Sequence, residues 1–221
     1  MRFKHIIFDC DGVLIDSEEI SMRTDQTLLA ECGVHITEVE MHRRFVGKTF
    51  QAMIDEIEAE RGVTLPGDLE ARKDDVMVEA YKRDLKAISG VADALAAIDL
   101  PKSIGTNGPR ARALLALQVT GLISYFGDRL TTFEDVENGK PFPDVYLLAA
   151  KRAGFLPYEC IVVEDSLTGV TAAVAAGCYT IGFTGAHLHR TEHALQLAEL
   201  GAAQVFDDMA DLPGIIRSLM A

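Results

Sequence analysis

The sequence contains no long apolar run and few cysteines. No stretch approaches the roughly eighteen apolar residues that a membrane-spanning helix needs, and the chain opens in a strand-like pattern without a signal-like segment. The four cysteines, Cys10, Cys32, Cys160 and Cys178, form no C-x-x-C pair. We therefore expect free thiols and a cytoplasmic protein that makes no use of a membrane.

Basic residues are also scarce relative to acidic ones, and the 221 residues carry a formal net charge of −13. Nucleic acids and anionic membranes are bound through clustered Lys and Arg, so neither is expected as a partner, and no protein partner is indicated. A content of 48% hydrophobic and 25% charged residues predicts a globular chain with a core and room for a second domain.

Short apolar runs alternate with helical patterns after residue 88, which is typical of β-α units. The predicted strands are His5 to Asp9, Ser103 to Gly105, Leu130 to Thr132, Cys160 to Val163, Tyr179 to Phe183 and Gln204 to Phe206. We predict an α/β core made of residues 1–16 and 88–221, a Rossmann-like parallel sheet with helices on both faces.

Residues 17–87 show helix signals and no convincing strand, so we predict an inserted α-helical cap domain. Asp16-x-x-Glu19 has the spacing of a capping box, Thr49 suits an N-cap, and an apolar stripe ends at Gly62. An insertion that leaves and returns beside the first strand should lie over the end of that strand. There it can exclude water and contact a substrate.

Two aspartates, Asp9 and Asp11, follow the apolar run that forms the first predicted strand. Side chains two positions apart in extended backbone point the same way, so both carboxylates can face one site, and Gly12 permits a tight turn after them. The alternatives are a surface turn without a ligand, or Cys10 as the nucleophile, whose side chain would point to the opposite face.

Three further polar segments follow later strands. They are Thr106-Asn107-Gly108, Lys140 between Gly139 and two prolines, and Glu164-Asp165. In an open parallel sheet, ligands gather outside the carboxyl ends of the strands, so these segments can converge on the two aspartates. A hydroxyl, backbone N–H groups and a lysine suit phosphate, and the acidic pair suits Mg²⁺. Taken singly, each segment could also be an ordinary turn, a solvated lysine or an acidic helix cap.

Together these segments resemble the haloacid dehalogenase superfamily of aspartate-dependent phosphohydrolases. Its first motif, D-x-D-G-[TV]-L-x-D-S, matches residues 9–17 at every defined position, and three more motifs follow in the right order. The helical insertion is similar to the α-helical cap of the subgroup that contains β-phosphoglucomutase and sugar-phosphate phosphatases. The resemblance spans the whole chain.

The resemblance implies a catalytic role for the first motif. Asp9 would attack phosphorus and form an aspartyl-phosphate, while Asp11 would protonate the leaving oxygen and later deprotonate water. Mg²⁺ would be held by Asp9, by the Asp11 backbone carbonyl and by Asp165, with Glu164 as a direct or water-mediated ligand.

The same resemblance implies phosphate binding by Thr106, the Asn107 N–H group and Lys140. The expected activity is hydrolysis of a small phosphorylated metabolite, a sugar phosphate or a sugar-acid phosphate. The presence of Asp11 argues against a dehalogenase, which has no leaving alkoxide to protonate. A phosphorelay receiver also groups acids, Thr and Lys around an aspartate, but such modules are about half as long and have no lid.

The alternative activity is that of a β-phosphoglucomutase. In that group a His lies four residues beyond the position of Ser17, and an Arg lies in a G-x-S-R loop. Here the corresponding residues are Ser21 and, if Gly47 is the loop glycine, Phe50. Both departures favour simple hydrolysis.

Two further segments are open to functional interpretation. Arg44 and Lys48, close to Arg43 and Gly47, could reach a second anionic group of the substrate, although solvent-facing basic residues are the favoured explanation. The pattern His187-x-His189-x-x-x-His193 is interpreted as a polar loop, because no Cys or carboxylate cluster accompanies it in the sequence.

Overall fold

The computed structural model describes residues 3–45 and 48–221. The chain divides into two compact units. The first comprises the residues up to Asp16 together with Lys86–Ala221, and the second comprises Ser17–Leu85. Sequence reasoning placed the return to the first unit two residues later, after residue 87.

A six-stranded parallel sheet forms the centre of the first unit. Numbered along the chain, the strands are β1 (His5–Phe8), β2 (Ile15–Asp16), β3 (Lys86–Ala87), β4 (Lys102–Thr106), β5 (Leu130–Thr132), β6 (Cys160–Glu164), β7 (Tyr179–Phe183) and β8 (Gln204–Phe206). The order in the large sheet is β5-β4-β1-β6-β7-β8, with every pair parallel. The six predicted strands are confirmed, with ends that differ by no more than one residue.

The second unit consists of helices α1 (Glu18–Glu31), α2 (Glu38–Phe45), α3 (Phe50–Arg61) and α4 (Leu69–Asp84). The predicted boundaries of α3 are confirmed: Thr49 Oγ1 accepts from Ala52 N, and Gly62 ends the helix with a φ of 62°. The helices enclose an apolar core that includes Met53, Ile54 and Ile57. The predicted helical insertion therefore has its own hydrophobic core.

Two local predictions are wrong. The expected capping box at Asp16 does not form, because Asp16 is extended in β2, where it pairs with Lys86 of β3. The N-cap of α1 is Ser17, whose side chain accepts no helix N–H bond. The strand β3 itself was missed, since two residues are too few to show a strand periodicity.

Helices cover both faces of the large sheet, as predicted. The remaining helices are α5 (Val91–Ala97), α6 (Arg110–Val119), α7 (Ile123–Phe126), α8 (Asp144–Ala153), α9 (Leu167–Ala175), α10 (Arg190–Glu199) and α11 (Leu212–Met220). Ile7 belongs to a buried cluster with residues of α8 and α9. Its neighbour Phe8 points to the opposite face and meets Phe126 of α7 edge to face, with ring centroids 6.0 Å apart. The apolar run of β1 is thus buried on both sides.

Candidate active site

The carboxyl ends of three adjacent strands bring predicted acidic and polar residues together. Asp9 follows β1, Thr106 ends β4 and Glu164 ends β6. Strand β1 lies between β4 and β6, and the three are parallel. The residues that follow these strands therefore meet at the carboxyl end of the sheet, although they are far apart in the sequence.

Lys140 lies between two of the carboxylates. Its Nζ atom donates to Asp9 Oδ1 and to Glu164 Oε1, each at 2.6 Å, and its side chain is 2% exposed. Burial alone would lower the pKa of Lys140, but the carboxylates of Asp9 and Glu164 raise it above its ordinary value. The ammonium group therefore stays charged at neutral pH.

The side chain of Asn107 fixes the backbone of Lys140. Asn107 Oδ1 accepts from Lys140 N at 2.8 Å, and Asn107 Nδ2 donates to Lys140 O at 3.0 Å. Sequence reasoning assigned the Asn107 N–H group to phosphate and missed this anchoring role. No local pattern could have indicated it, because the two residues are 33 positions apart.

Both carboxylate oxygens of Glu164 accept hydrogen bonds from the protein. Oε1 accepts from Lys140 and from the Tyr146 hydroxyl at 2.8 Å, while Oε2 accepts from Ser166 N at 2.8 Å and Ser166 Oγ at 3.0 Å. The carboxylate also packs against Gly169, where a Cβ atom would lie 1.6 Å from Oε1. Burial and the charge of Glu164 raise the pKa of Tyr146, which keeps its hydroxyl a donor.

Three buried carboxylates lie close together, and Lys140 donates to two of them. Ligand oxygens of Asp9, Glu164 and Asp165 lie within 4.8 Å of one another. Burial raises the pKa of Asp9 well above its ordinary value, and the carboxylates of Glu164 and Asp165 add to this rise, which Lys140 opposes. Buried negative charge of this kind is costly unless a cation offsets it. A set of hard carboxylate oxygens fits Mg²⁺.

Gly12 allows Asp165 to approach the chain closely. Its φ is 75°, and a Cβ atom on Gly12 would lie only 2.1 Å from Asp165 Oδ2. Only glycine satisfies both conditions without displacing the carboxylate. The glycine of the first motif thus both turns the chain and makes room for an acid of the last motif.

The side chains of Asp11 and Thr106 lie close to Gly108, which is in the loop that follows β4. The position of a Cβ atom on Gly108 is 3.4 Å from Asp11 Oδ2 and 3.3 Å from Thr106 Oγ1. Thr106 is buried, and its Oγ1 atom also accepts a hydrogen bond from Gly108 N at 2.9 Å. Arg112 Nη2 lies 3.8 Å from the same point. Sequence reasoning did not select Arg112, which comes one turn into an ordinary helical pattern.

Two histidines lie within hydrogen-bond distance of Asp165. His187 Nε2 lies 3.0 Å from Asp165 Oδ2, and His193 Nε2 lies 2.5 Å from the Asp165 carbonyl oxygen. The two imidazole rings stack with centroids 3.8 Å apart. The interpretation of this segment as a polar loop is wrong for His193, which lies in α10, and it missed both contacts with Asp165. The exposed His189, which precedes α10, fits it.

Residues 6–183 match the family described as haloacid dehalogenase-like hydrolase. The chain belongs to this family. It is 32% identical to the 6-phosphogluconate phosphatase of Escherichia coli (strain K12) over 177 residues, 80% of either chain. It is 30% identical to a phosphorylated carbohydrates phosphatase of Thermotoga maritima, over 78% of this chain and 81% of that protein.

A solved structure supports the family assignment over the whole chain. A conserved haloacid dehalogenase-like protein of unknown function from Agrobacterium tumefaciens superposes with a TM-score of 0.87 at 37% identity. The match covers 99% of this chain and 100% of the other. The family resemblance inferred from the four motifs is confirmed.

The two cap residues predicted to contact substrate lie in an ion-pair network within the helical unit of this haloacid dehalogenase-like hydrolase. Arg44 pairs with Glu40 at 2.7 Å, Glu56 at 3.0 Å and Glu60 at 2.5 Å, and Lys48 pairs with Glu56 at 2.5 Å. These carboxylates neutralise both cations. Their contact with substrate stays a prediction, and Gly47, the proposed loop glycine, lies outside the described residues.

Cys10 has the environment of a buried apolar residue in this haloacid dehalogenase-like hydrolase. It is 1% exposed, and burial, followed by the charges of Asp11 and Asp9, raises its pKa well above the ordinary thiol value. A protonated thiol is a poor nucleophile, which argues against the alternative role. Within residues 3–45 and 48–221, no helix combines the length and the hydropathy needed to cross a bilayer.

Proposed function

We propose that this phosphoric monoester hydrolase is a Mg²⁺-dependent phosphatase that acts on a small phosphorylated metabolite through an aspartyl-phosphate. One observation carries the proposal: the Asp9 carboxylate lies in a buried group of three acids and is hydrogen-bonded to Lys140 at 2.6 Å. Such a group can hold an anionic nucleophile, a cation and a phosphoryl group at the same place.

In the first step, a carboxylate oxygen of Asp9 bonds to phosphorus and the bond from phosphorus to the leaving oxygen breaks. Asp11 gives its proton to that oxygen, so the alcohol leaves neutral. Lys140 holds Asp9 Oδ1, which orients the carboxylate and leaves Oδ2 as the attacking atom. Fixing the reacting groups in this way lowers the entropic part of the barrier.

In the second step, Asp11, now ionised, removes a proton from water as the water oxygen bonds to phosphorus. The bond between Asp9 and phosphorus breaks, which restores the carboxylate and releases inorganic phosphate. Asp11 regains the proton that it needs for the next turnover. One aspartate thus serves as acid and then as base.

Mg²⁺, when bound, would offset the charge of the phosphoryl group and of the surrounding acids. We assign its ligands to Asp9, Asp165 and the Asp11 backbone carbonyl. Glu164 was also predicted as a ligand, but four protein donors already occupy its two oxygens. We therefore assign Glu164 chiefly to holding Lys140 in place.

Thr106, the Asn107 N–H group and Lys140 are proposed to bind the non-reacting phosphoryl oxygens. Thr106 is buried at a strand end, and the backbone of Lys140 is held at both its N–H and C=O groups by Asn107. A rigid cation is worth more in a transition state than one that must first be ordered.

The substrate is proposed to be a sugar phosphate or a sugar-acid phosphate. The support is similarity to the Escherichia coli and Thermotoga maritima phosphatases, whose names specify 6-phosphogluconate and phosphorylated carbohydrates. We propose that the helical unit, Ser17–Leu85, is the cap domain that selects among such substrates. Hydrolysis is preferred over mutase activity because Ser21 occupies the position of the mutase histidine.

A screen of phosphorylated metabolites, with released phosphate as the readout, tests the proposal. We expect Mg²⁺-dependent release that EDTA stops reversibly and that Asp9→Asn abolishes while the fold stays intact. The exposed Asp99→Asn is the control and should keep full activity. Phosphate release by Asp9→Asn at more than a few per cent of the normal rate would overturn the mechanism, and product isomers without phosphate release would indicate a mutase.

A further inference from the structure

A cavity of about 420 Å³ lies beside β5, at the lateral edge of the large sheet. Cavities of 300–1,000 Å³ are typical of small-molecule sites. Its polar lining is contributed by Ser103, Thr131, Asp128, Arg110, Arg129 and Arg152. Three arginines around one cavity are notable in a chain whose net charge is −13.

Arg110 and Arg152 share a single carboxylate. Arg110 Nη2 lies 2.6 Å from Asp135 Oδ2, and Arg152 Nη1 lies 3.0 Å from the same oxygen. The two guanidinium groups hold the pKa of Asp135 below its ordinary range, with Arg152 contributing most. Because one carboxylate faces two guanidinium groups, the three side chains together carry one positive charge.

Arg129 is a third cation, and its side chain donates to backbone carbonyl groups. Its Nε donates to Lys102 O at 2.7 Å and its Nη2 donates to Tyr125 O at 3.1 Å. Across the residues that the structure describes, Arg129 forms no ion pair with a carboxylate. Its guanidinium is thus oriented without a carboxylate partner, and the lining of the cavity contains three arginines against one acid, the exposed Asp128.

Two hydroxyl residues, Ser103 and Thr131, also line the cavity, together with the apolar residues Leu130, Ala149 and Ala153. Ser103 Oγ lies 2.7 Å from His5 Nε2, and Thr131 Oγ1 accepts from Arg152 Nη1 at 3.3 Å. Ser103 precedes Thr106 by three positions in β4, a distance of roughly 10 Å along a strand. The cavity is therefore distinct from the candidate active site, and none of its lining residues belongs to the proposed catalytic set.

We propose that this cavity is a binding site for a small organic phosphate, separate from the substrate site. Arginine presents N–H groups in a planar fork that matches phosphate oxygens, and hydroxyl groups supply further polar contacts. The volume exceeds what a bare phosphate ion needs and admits a small organic group. A purely structural role, in which Arg110 and Arg152 only cover the Leu130 carbonyl at the sheet edge, is the competing explanation.

Titration of nitrogen-15-labelled protein with inorganic phosphate, in EDTA and followed by amide NMR shifts, separates the two explanations. We expect saturable shifts at the amides of Ser103, Leu130 and Thr131, independent of any shifts at Asp9 and Thr106. Arg129→Gln should raise the phosphate dissociation constant obtained from the amides of Ser103, Leu130 and Thr131 at least tenfold. It should leave the shifts at Asp9 and Thr106 unchanged. Sodium chloride at equal ionic strength should not reproduce the shifts.

Two further variants make the test decisive. Arg129→Lys keeps the charge and should retain most of the binding, while Arg217→Gln removes an exposed arginine from α11 and should change nothing. Phosphate shifts confined to the amides of Asp9 and Thr106, or an unchanged affinity at β5 in Arg129→Gln, would overturn the proposal. If Arg129→Gln fails to fold, loss of the β5 shifts in folded Arg129→Lys would overturn the role of charge.

Discussion

Replacement of Gly12 by alanine tests whether the close approach of Asp165 organises the active site. At a φ of 75° a non-glycine residue costs about 1–2 kcal/mol. The new Cβ atom would also lie 2.1 Å from Asp165 Oδ2, whereas contacts under 3.0 Å essentially do not occur. The carboxylate must therefore withdraw by roughly 1 Å, and misplacement of that size costs on the order of 100-fold in rate. We expect such a fall in kcat/KM, together with weaker Mg²⁺ binding.

Gly121→Ala is the matched control for this prediction. Gly121 has the same φ of 75°, but nothing lies within 4 Å of the position of its Cβ atom. Urea unfolding should show a similar loss of about 1–2 kcal/mol for both variants. Hydrolysis of p-nitrophenyl phosphate and calorimetric Mg²⁺ titration should separate them, since only Gly12→Ala loses function. Normal kinetics in Gly12→Ala, or an equal kinetic loss in Gly121→Ala, would refute the reasoning.

Two other predictions concern histidines. His187→Ala removes a partner of Asp165 Oδ2 and should weaken Mg²⁺ binding about 10–100-fold. The control, His189→Ala, changes an exposed histidine and should bind Mg²⁺ normally. Equal Mg²⁺ dissociation constants in the two variants would contradict the role of His187. Burial, aided by the charge of Arg129, lowers the pKa of His5 to about 4. The unfolded state, with a pKa of about 6.5, takes up the proton first, so stability falls by up to about 3 kcal/mol as pH drops from about 6.5 to about 4. Urea unfolding across that range should show a smaller loss in His5→Gln, and an equal loss would contradict the assignment.

The sheet could be predicted because its strands are short apolar runs with turn residues at both ends. The run Ile6-Ile7-Phe8 is buried on both faces, as expected for a central parallel strand. Strands β2 and β3 could not be predicted, since their pairing of Ile15 with Ala87 joins distant segments of two residues each. The capping box failed for the same reason: strand pairing of Asp16 overrode the local helix signal.

The acids and the lysine of the site were selected because they follow the predicted strands in the order of the family's motifs, although each of them alone has an ordinary structural explanation. Tyr146 was missed, since an aromatic residue on a helix is ordinarily part of the core, and only its hydroxyl contact with Glu164 distinguishes it. His187 and Gly169 were missed because their importance depends on which distant side chain packs against them. Such contacts follow from the tertiary fold and leave no periodic signal in the sequence.

Direct detection of phosphate on Asp9 is the most decisive measurement. In Asp11→Asn, p-nitrophenyl phosphate should still phosphorylate the enzyme, because nitrophenolate leaves without a proton, but hydrolysis should stall without a base. Mass spectrometry of acid-quenched protein should then find one phosphoryl group on the peptide that contains Asp9. An unmodified Asp9 during turnover, or a phosphoryl group on another residue, would contradict the account.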